Sequence, residues 1–331
     1  MKLQDSAIAN HNKLYHTGRI KFWGETIGLH PFSLRMQQAK IALRGEEDVP
    51  ASQYDLSSLK QLKPGIAIPL WLGKQKVERK VIITNCFNHL QTPIEQGWSV
   101  KITQVEDFRK RKLTYDSHNG TDFAIPIDTT LLAAAPGKVV LIKSDFNRGG
   151  LKVFIDHGQG LMTCSAHLAR ALVKEGEVVQ RSQAIAITGY SGLDSLVTFP
   201  FGTPHVHFNT WLNGEPIDPF PYGQEASLWQ AGDLPTPGTN NSDTAFSESL
   251  YDEAQVDQAI VACLTSSSRR RLAAIQDLNT RAAHTIAEMN YYPTRFPKRI
   301  NVYRALHPRQ GVLDLPFDKC FFDGVVFADE L

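Results

Sequence analysis

The sequence predicts a mainly β protein, α+β overall, whose central part is an antiparallel β barrel or sandwich. Between Trp98 and Tyr222, seven short runs rich in apolar and β-branched residues follow one another, separated by glycine and proline. No helical periodicity interrupts these runs, which is typical of barrels and sandwiches. Apolar residues recur at helical spacing only towards the two ends of the chain, which predicts helices there.

The chain is predicted to divide into four parts. Residues 1–95 form an N-terminal β-containing region without a recognisable site, and residues 96–222 form the β domain. Residues 223–245 are rich in Pro, Thr, Asn and Ser, which is typical of a linker. Residues 246–331 form a helical C-terminal extension.

The N-terminal region combines one predicted helix with two predicted strands. A helix is predicted over residues 33–44, because apolar residues recur at helical spacing and Gly45 follows its end. After a Pro-Gly turn signal, residues 66–72 and 80–84 have the composition of strands.

The β domain contains seven predicted strands, and one of them has a strict alternation. In the run 161–168, Thr163, Ser165 and His167 alternate with apolar residues and are predicted to share one face. Cys164 falls on the apolar face, so we interpret it as a small core residue and not as a metal ligand. The seven runs cover residues 99–105, 122–127, 137–143, 151–156, 161–168, 184–188 and 205–212.

The C-terminal extension contains two predicted helices, over residues 252–264 and 269–289, each with apolar residues along one stripe. Short runs at 300–305 and 324–327 have the composition of strands. No motif in this part carries clear chemistry, so we interpret it as a packing or targeting appendage.

Composition excludes several classes of protein. Of 331 residues, 35 are Lys or Arg and 34 are Asp or Glu, so a net charge of +1 gives no support for nucleic-acid binding. No run approaches roughly 18 apolar residues, so no membrane span is predicted. The four cysteines lack Cys-x-x-Cys spacing, which argues against a zinc finger or a disulfide framework. The N-terminus lacks the apolar core of a secretory signal, so either export uses another route or a signal has been removed.

Two separated motifs predict a metal site. His118 and Asp122 flank Asn119-Gly120, which is a turn signal because both residues tolerate positive φ. The turn would bring an imidazole nitrogen and a carboxylate oxygen onto one ion. Zinc prefers such atoms at about 2.0–2.2 Å, and a catalytic zinc keeps only three protein ligands.

The second motif is His205-Val206-His207. Because residues two apart in a strand point to the same face, both imidazoles can lie beside the first motif, and either could be the third ligand. His167 lies between the two motifs in the sequence and is a further candidate. No His-Glu-x-x-His occurs, so histidines would have to act as the proton acceptor.

The ordered set of motifs resembles the lysostaphin-type, or LytM-like, zinc metallopeptidases, which cut peptide cross-links in bacterial peptidoglycan. The resemblance covers about residues 115–222. It rests on His118-Asn-Gly-Thr-Asp122, Ala135-Pro-Gly-Lys-Val-Val140, His157-Gly-Gln-Gly-Leu-Met-Thr163, Ala166-His167-Leu168, Gly176-Glu-Val-Val179 and Pro204-His205-Val206-His207-Phe208.

This resemblance implies a domain of the duplicated hybrid motif type and a zinc-dependent endopeptidase. It implies one Zn²⁺ per chain, bound by His118, Asp122 and His207, with His167 and His205 as catalytic residues that do not bind the metal. The implied substrate is the peptide part of peptidoglycan, and the expected site of action is the cell envelope, periplasmic or extracellular. The oligomeric state is left open.

Four further positions are predicted to contact substrate, because the sequence departs from the family pattern there. Ser165 stands where the family commonly has tyrosine, and Asn209 stands where it frequently has glutamate. An apparent insertion over residues 193–201 precedes the metal-binding strand and contains Phe199 and Phe201. The insertion is expected to reshape the substrate groove.

Three alternatives stay open. The chain could be a non-catalytic LytM-like binding or regulatory module of the cell envelope, although such relatives typically lose ligands. It could be another metal-dependent hydrolase. Residues 135–140 and 173–179 also read like the hairpins of a biotinyl or lipoyl module, but that interpretation leaves the His and Asp motifs unexplained and lacks a modified lysine in the turn.

Overall fold

One open sheet of eleven strands dominates the computed structural model, which describes residues 19–90, 96–238 and 246–331. The strands are β1 (Lys80–Asn85), β2 (Thr121–Ala124), β3 (Thr130–Leu132), β4 (Gly137–Asp145), β5 (Gly150–Asp156), β6 (Leu161–Ala171), β7 (Val178–Val179), β8 (Ala184–Thr188), β9 (His205–Leu212), β10 (Glu215–Ile217) and β11 (Gly324–Phe327).

The strand order is β11-β1-β2-β9-β6-β5-β4-β7, with β10 beside β9, and with β8 joining β3 to β6. The two end strands, β11 and β7, do not pair with each other in the described part of the chain. The prediction of a mainly β fold with helices is confirmed, but the prediction of a barrel is wrong. The physical reason is that β1 pairs with β2, and β11 then adds to β1 in parallel, so strands from both ends of the chain extend the sheet.

Seven α-helices lie around the sheet in the described ranges. They are α1 (Arg19–Ile27), α2 (Phe32–Arg44), α3 (Pro64–Trp71), α4 (Leu193–Thr198), α5 (Glu253–Ala262), α6 (Ser266–Ala273) and α7 (Leu278–Tyr291), with 3₁₀ turns at Leu56–Gln61, Pro293–Arg295 and Ala328–Glu330. Among the described helices, none has the length and apolar character needed to cross a membrane.

The two faces of the sheet pack against different parts of the chain. Phe123, Val206 and Phe208 point into the larger core, which also contains Trp229. On the opposite face, the C-terminal helices cover a second core around Trp211. The cleft that contains the predicted site opens on this same face, and Tyr291 of the last helix borders it.

The pairing of β9 with β2 and β6 positions the site residues. Asp122 pairs directly with His207, and Ala124 pairs with His205. On the other side of β9, Ala166 pairs with His207. Directly paired residues of antiparallel strands share a face, so this register brings the predicted motifs together although they are far apart in sequence.

Most predicted strands and helices are confirmed within a few residues, but three of the predicted strands are wrong. Residues 66–71 belong to α3, and Leu72 follows its end, so no strand forms there. Residues 99–105 and 300–305 form no strand in the described structure, only isolated bridges at Ser99 and Tyr303.

Helix α3 shows why the strand prediction failed. A short, wholly apolar run carries no period that separates a strand from a buried helix. Here Pro64 stands in the first helical turn, where its missing N–H costs nothing, and Ile66, Ala67, Leu70 and Trp71 are all buried.

The predicted helix over residues 269–289 is two helices, α6 and α7. The break occurs where Asp277 caps the start of α7, accepting a hydrogen bond from the Thr280 backbone N–H. An aspartate at this position satisfies an unpaired N–H of the first turn and therefore favours a new helix start.

The four-part division of the chain stays a prediction. Within the predicted linker, residues 239–245 lie outside the described residues, but Leu228 and Trp229 are buried in the larger core. Pro237 forms a bridge with Leu315 of the C-terminal extension. The predicted absence of a secretory signal concerns residues that also lie outside the described ranges.

Candidate active site

Asp122, His167, His205 and His207 line one cleft of ≈ 470 Å³. His118 is fully buried beside Asp122 and does not itself line the cleft. Strands β2 and β9 form its floor, and the turn between β4 and β5 forms one wall. The insertion before β9 contributes Phe199 and Phe201, as expected. Residues of the N-terminal region, including Tyr54 and Leu59, also line the cleft, which no sequence motif predicted.

Three buried side chains converge at the floor of the cleft. The candidate ligand atoms of His118, Asp122 and His207 all lie within 4.8 Å of one another. Asp122 Oδ1 is 3.0 Å from His118 Nε2 and 2.8 Å from His207 Nδ1, and the two nitrogens are 3.2 Å apart. Two imidazole nitrogens and one carboxylate oxygen form a donor set that can hold a metal ion.

Neighbouring groups orient two of these side chains. His118 Nδ1–H donates to the Cys86 carbonyl oxygen at 2.6 Å, which leaves Nε2 facing the other candidate ligands. Asn85 Nδ2 donates to Asp122 Oδ2 at 2.9 Å, which leaves Oδ1 facing them. Such outer partners fix the tautomer and orientation of metal ligands. Both the three candidate ligands and the hydrogen bonds that orient two of them therefore suit a metal centre.

The turn between His118 and Asp122 has a different backbone conformation from the predicted one. Neither Asn119 nor Gly120 has positive φ. A Cβ atom at Gly120 would lie 3.0 Å from the His207 ring and 2.8 Å from the Phe208 carbonyl oxygen. Glycine is needed here because β9 approaches closely, and not because the turn is left-handed.

The protonation states suit metal binding. Burial alone would raise the pKa of Asp122, but His118 and His205, with hydrogen bonds from His118 and His207, hold that pKa well below its usual range. Burial lowers the pKa of His207, although the Asp122 hydrogen bond partly opposes this. At neutral pH Asp122 is therefore a carboxylate and His207 a neutral imidazole, the forms in which these side chains bind metals.

His167 and His205 lie beside this cluster, with ring centroids 4.7 Å apart. His167 Nδ1–H donates to the Ser191 carbonyl and His205 Nδ1–H donates to the Thr203 carbonyl, both at 2.8 Å. When such a ring is neutral and its Nδ1 carries the proton, Nε2 is the proton acceptor. Burial, reinforced by His205, lowers the pKa of His167 well below its usual value, so His167 is neutral at neutral pH.

His167 reaches the cleft because β6 is irregular there, and the predicted shared face of Thr163, Ser165 and His167 is wrong. His167 has φ +61°, and its N–H donates to the Gly149 carbonyl at 2.7 Å. The register of β6 shifts on both sides of this point. Ser165 instead pairs with Phe208, on the face opposite the cleft, and is buried. The geometry gives no support for a contact between Ser165 and substrate.

The remaining predicted substrate contacts fall in two places. Phe199 and Phe201 are half-exposed at the mouth of the cleft, and the Phe199 ring packs on Trp71 with centroids 5.0 Å apart. Asn209 is buried behind His207, with its Nδ2 atom 3.1 Å from His207 Nε2. Asn209 Nδ2 donates to Asn119 Oδ1 at 3.0 Å, and the same oxygen lies 3.3 Å from His207 Nε2, so Asn209 supports His207 through Asn119. A contact between Asn209 and substrate stays a prediction.

Sequence reasoning missed Tyr291, which belongs to α7 in the C-terminal extension. Its hydroxyl donates to Asn209 Oδ1 at 2.8 Å and lies 3.1 Å from Cys164 Sγ. Asn209 Nδ2 in turn donates to the Asn119 carbonyl at 2.8 Å. The C-terminal extension thus fixes the amide that faces His207. A tyrosine at the end of a helix carries no sequence signal for this role.

We expect Tyr291→Phe to weaken metal binding by about 10-fold, the lower end of the range for partners of metal ligands. The substitution keeps the ring but removes the hydroxyl that holds Asn209. The dissociation constant, measured by competition with a chromogenic chelator, checks this. Tyr292→Phe removes a hydroxyl from the next residue and serves as the matched control. Equal metal affinity of the two variants would contradict the prediction.

Comparison with known proteins identifies part of the chain. Residues 116–219 match the model of peptidase family M23, so this part is an M23 domain, and the predicted resemblance to lysostaphin-type peptidases is confirmed for it. Peptidoglycan DD-endopeptidase ShyA of Vibrio cholerae is 32% identical over 148 residues, covering 43% of this chain and 31% of the relative. Peptidoglycan DD-endopeptidase ShyB of the same organism is 36% identical over 128 residues, covering 38% and 28%.

The matched region thus spans less than a third of either curated relative. Among solved structures, a zinc-containing peptidase from Vibrio cholerae is 28% identical and covers 43% of this chain and 38% of that chain, with a TM-score of 0.30.

Proposed function

We propose that the chain is a zinc-dependent endopeptidase that hydrolyses peptide cross-links of bacterial peptidoglycan, with one zinc ion per chain. One observation carries the proposal: the His118, Asp122 and His207 cluster lies beside two histidines, His167 and His205, whose Nε2 atoms are free to accept protons. The M23 match and the names of the relatives supply the substrate class.

His118, Asp122 and His207 would hold the zinc ion. When bound, zinc lowers the pKa of a water molecule towards about 7 and polarises a carbonyl group. Three protein ligands leave a coordination position free for water or substrate. The Cys86 carbonyl and the Asn85 amide keep two ligands oriented before the metal arrives, so little reorganisation is needed.

His167 and His205 would move the protons. Each ring is fixed by a hydrogen bond from Nδ1–H to a backbone carbonyl, so Nε2 can take a proton from the attacking water and return it to the leaving amine. The low pKa of His167 keeps this ring in the accepting form. The imidazolium that forms would also stabilise negative charge on the carbonyl oxygen.

Catalysis explains the site better than a non-catalytic binding module does. A binding module needs neither a complete ligand set nor two oriented histidines beside it. In a biotinyl or lipoyl module, the buried cluster of His118, Asp122 and His207 would have no role. Bound metal without cleavage of any substrate would instead favour a non-catalytic binding module.

We expect cleavage of cross-linked peptidoglycan peptides and little cleavage of folded or loosely folded proteins. A cleft of ≈ 470 Å³ walled by aromatic residues suits a short extended peptide. Intact sacculi, isolated cross-linked muropeptides and casein are digested in parallel, and mass spectrometry identifies the fragments. Rapid casein cleavage with untouched muropeptides would refute the proposed substrate class.

Two variants test whether the digestion depends on the proposed site. His167→Ala should release far fewer muropeptide fragments, which excludes a contaminating peptidase as their source. Phe199→Ala removes an aromatic ring at the mouth of the cleft and should change the relative rates on different muropeptides while the bound metal is kept. Unchanged relative rates would remove Phe199 from the proposed substrate contacts.

A further inference from the structure

One permanently charged cation faces the cleft, and the proposed mechanism does not use it. Of the described residues that line the cleft, Arg148 is the only arginine or lysine. It lies in the turn between β4 and β5, half-buried, with its guanidinium over the Trp98 ring at 5.2 Å. The next residue, Gly149, accepts the backbone hydrogen bond of His167. Arg148 is therefore attached to the segment that positions a candidate catalytic residue.

The Arg148 guanidinium has no ion-pair partner among the described residues. The carboxylate nearest in sequence, Asp145, pairs instead with Lys143 at 3.1 Å and Lys152 at 3.3 Å. Asp194 lies near enough to attract Arg148 but forms no salt bridge with it. Burial lowers the pKa of Arg148, yet a guanidinium stays protonated at neutral pH. In the described structure, the Arg148 guanidinium is thus attracted by Asp194 but forms no direct ion pair with a carboxylate.

The shape of the guanidinium and its surroundings favour one class of ligand. Its planar N–H groups match the two oxygens of a carboxylate, and the Trp98 ring can hold the guanidinium plane in place. Among the described residues that line the cleft, no other arginine or lysine can form such a two-point contact. A carboxylate on a bound peptide would therefore be directed towards Arg148.

We propose that Arg148 binds a free carboxylate of the peptide substrate and so sets which bond lies at the metal centre. The proposal rests on the proposed endopeptidase function and specifies its substrate. A peptide anchored at Arg148 would place a bond at a fixed distance from its carboxylate beside His167 and His205. The carboxylate can be the C-terminal one or that of an acidic side chain, and both share the chemistry that Arg148 recognises.

The first test compares matched substrates on the zinc-loaded full chain. One cross-linked peptide carries free carboxylates, a second is amidated at its C-terminus, and a third is amidated at its acidic side chain. Arg148→Gln should lower kcat/KM on the free-acid peptide by about 10–100-fold, the scale of a charge-assisted hydrogen bond. It should change little on the peptide whose recognised carboxylate is already amidated, which identifies the source.

Two further variants separate recognition from packing. Arg148→Lys keeps the positive charge and should recover part of the loss on the free-acid peptide. Arg270→Gln makes the same chemical change on the exposed surface of α6 and should leave all rates unchanged. An equal loss on all three peptides with Arg148→Gln would mean that Arg148 only supports the fold, and the proposal would be overturned.

The second test does not depend on cleavage. Calorimetry gives the dissociation constants of the free-acid and amidated peptides for the zinc-loaded wild type and Arg148→Gln. Any binding of a carboxylate to zinc contributes equally to both proteins, so their difference isolates Arg148. We expect the preference for the free-acid peptide over the amidated one to be larger in the wild type than in Arg148→Gln. The same affinity ratio in both proteins overturns the proposal, whereas a preserved preference without cleavage overturns only the endopeptidase function.

Discussion

Asp122→Asn should remove the metal ion and abolish peptide hydrolysis, although the side chain keeps almost the same shape. Asp122 Oδ1 lies within 3.0 Å of both His118 Nε2 and His207 Nδ1, so it occupies the centre of the donor set. The amide that replaces it is neutral and a poor ligand. Metal analysis by mass spectrometry after gel filtration should give about one zinc per wild-type chain, as expected for a three-ligand catalytic site.

His118→Ala and His207→Ala should lose metal and activity together in the same way. His284→Ala is the matched control, because it removes an imidazole that lies outside the cleft. Circular dichroism of each variant establishes that the fold is kept. A folded wild-type sample, never exposed to chelator, that contains well under one equivalent of zinc would contradict the metal centre itself. Zinc retained by Asp122→Asn would contradict the ligand set.

The two motifs of the candidate site could be recognised in the sequence because each motif is local. Two histidines two apart lie on one face of a strand, and β9 forms at the predicted residues. The direct pairing of Asp122 with His207 then completes the cluster. Close approach at Gly120 was not predictable, because it depends on how near β9 comes to the turn.

The position of His167 shows where strand periodicity fails. The alternation along β6 was correct up to Ser165, but the chain adopts φ +61° at His167 and its register shifts there. This conformation is stabilised by a hydrogen bond from the His167 N–H to the Gly149 carbonyl, which lies in the turn between β4 and β5. The sequence of β6 alone contains no sign of that bond. Alternation therefore predicted wrongly that His167 and Ser165 share a face.

Long-range contacts account for the other differences between prediction and structure. The parallel pairing of β11 with β1 joins residues from opposite ends of the chain and prevents closure of a barrel. Tyr291 reaches Asn209 from the C-terminal extension, and Arg148 faces the cleft from a strand turn. None of these residues belongs to a motif, and each acquires its role only through tertiary packing.

The two non-ligand histidines give the second large expected effect. His167→Ala and His205→Ala should keep the zinc ion but lower kcat by about 10²–10⁴-fold, the usual contribution of a positioned acid or base. Each substitution removes an Nε2 acceptor beside the cluster without removing an atom of the His118, Asp122 and His207 set. Zinc content and steady-state kinetics on one cross-linked muropeptide are measured on the same preparations.

The pair His205 and His207 provides the clearest test of this prediction. Both residues lie on the same face of β9, but only His207 has a ring nitrogen within 3 Å of Asp122 Oδ1, since His205 Nε2 is 3.5 Å away. If His205→Ala loses the metal and His207→Ala retains it, the assignment within the pair is reversed. If His167→Ala leaves kcat unchanged, the hydrogen bond from its Nδ1 to Ser191 serves only the fold, and His205 must transfer the proton alone.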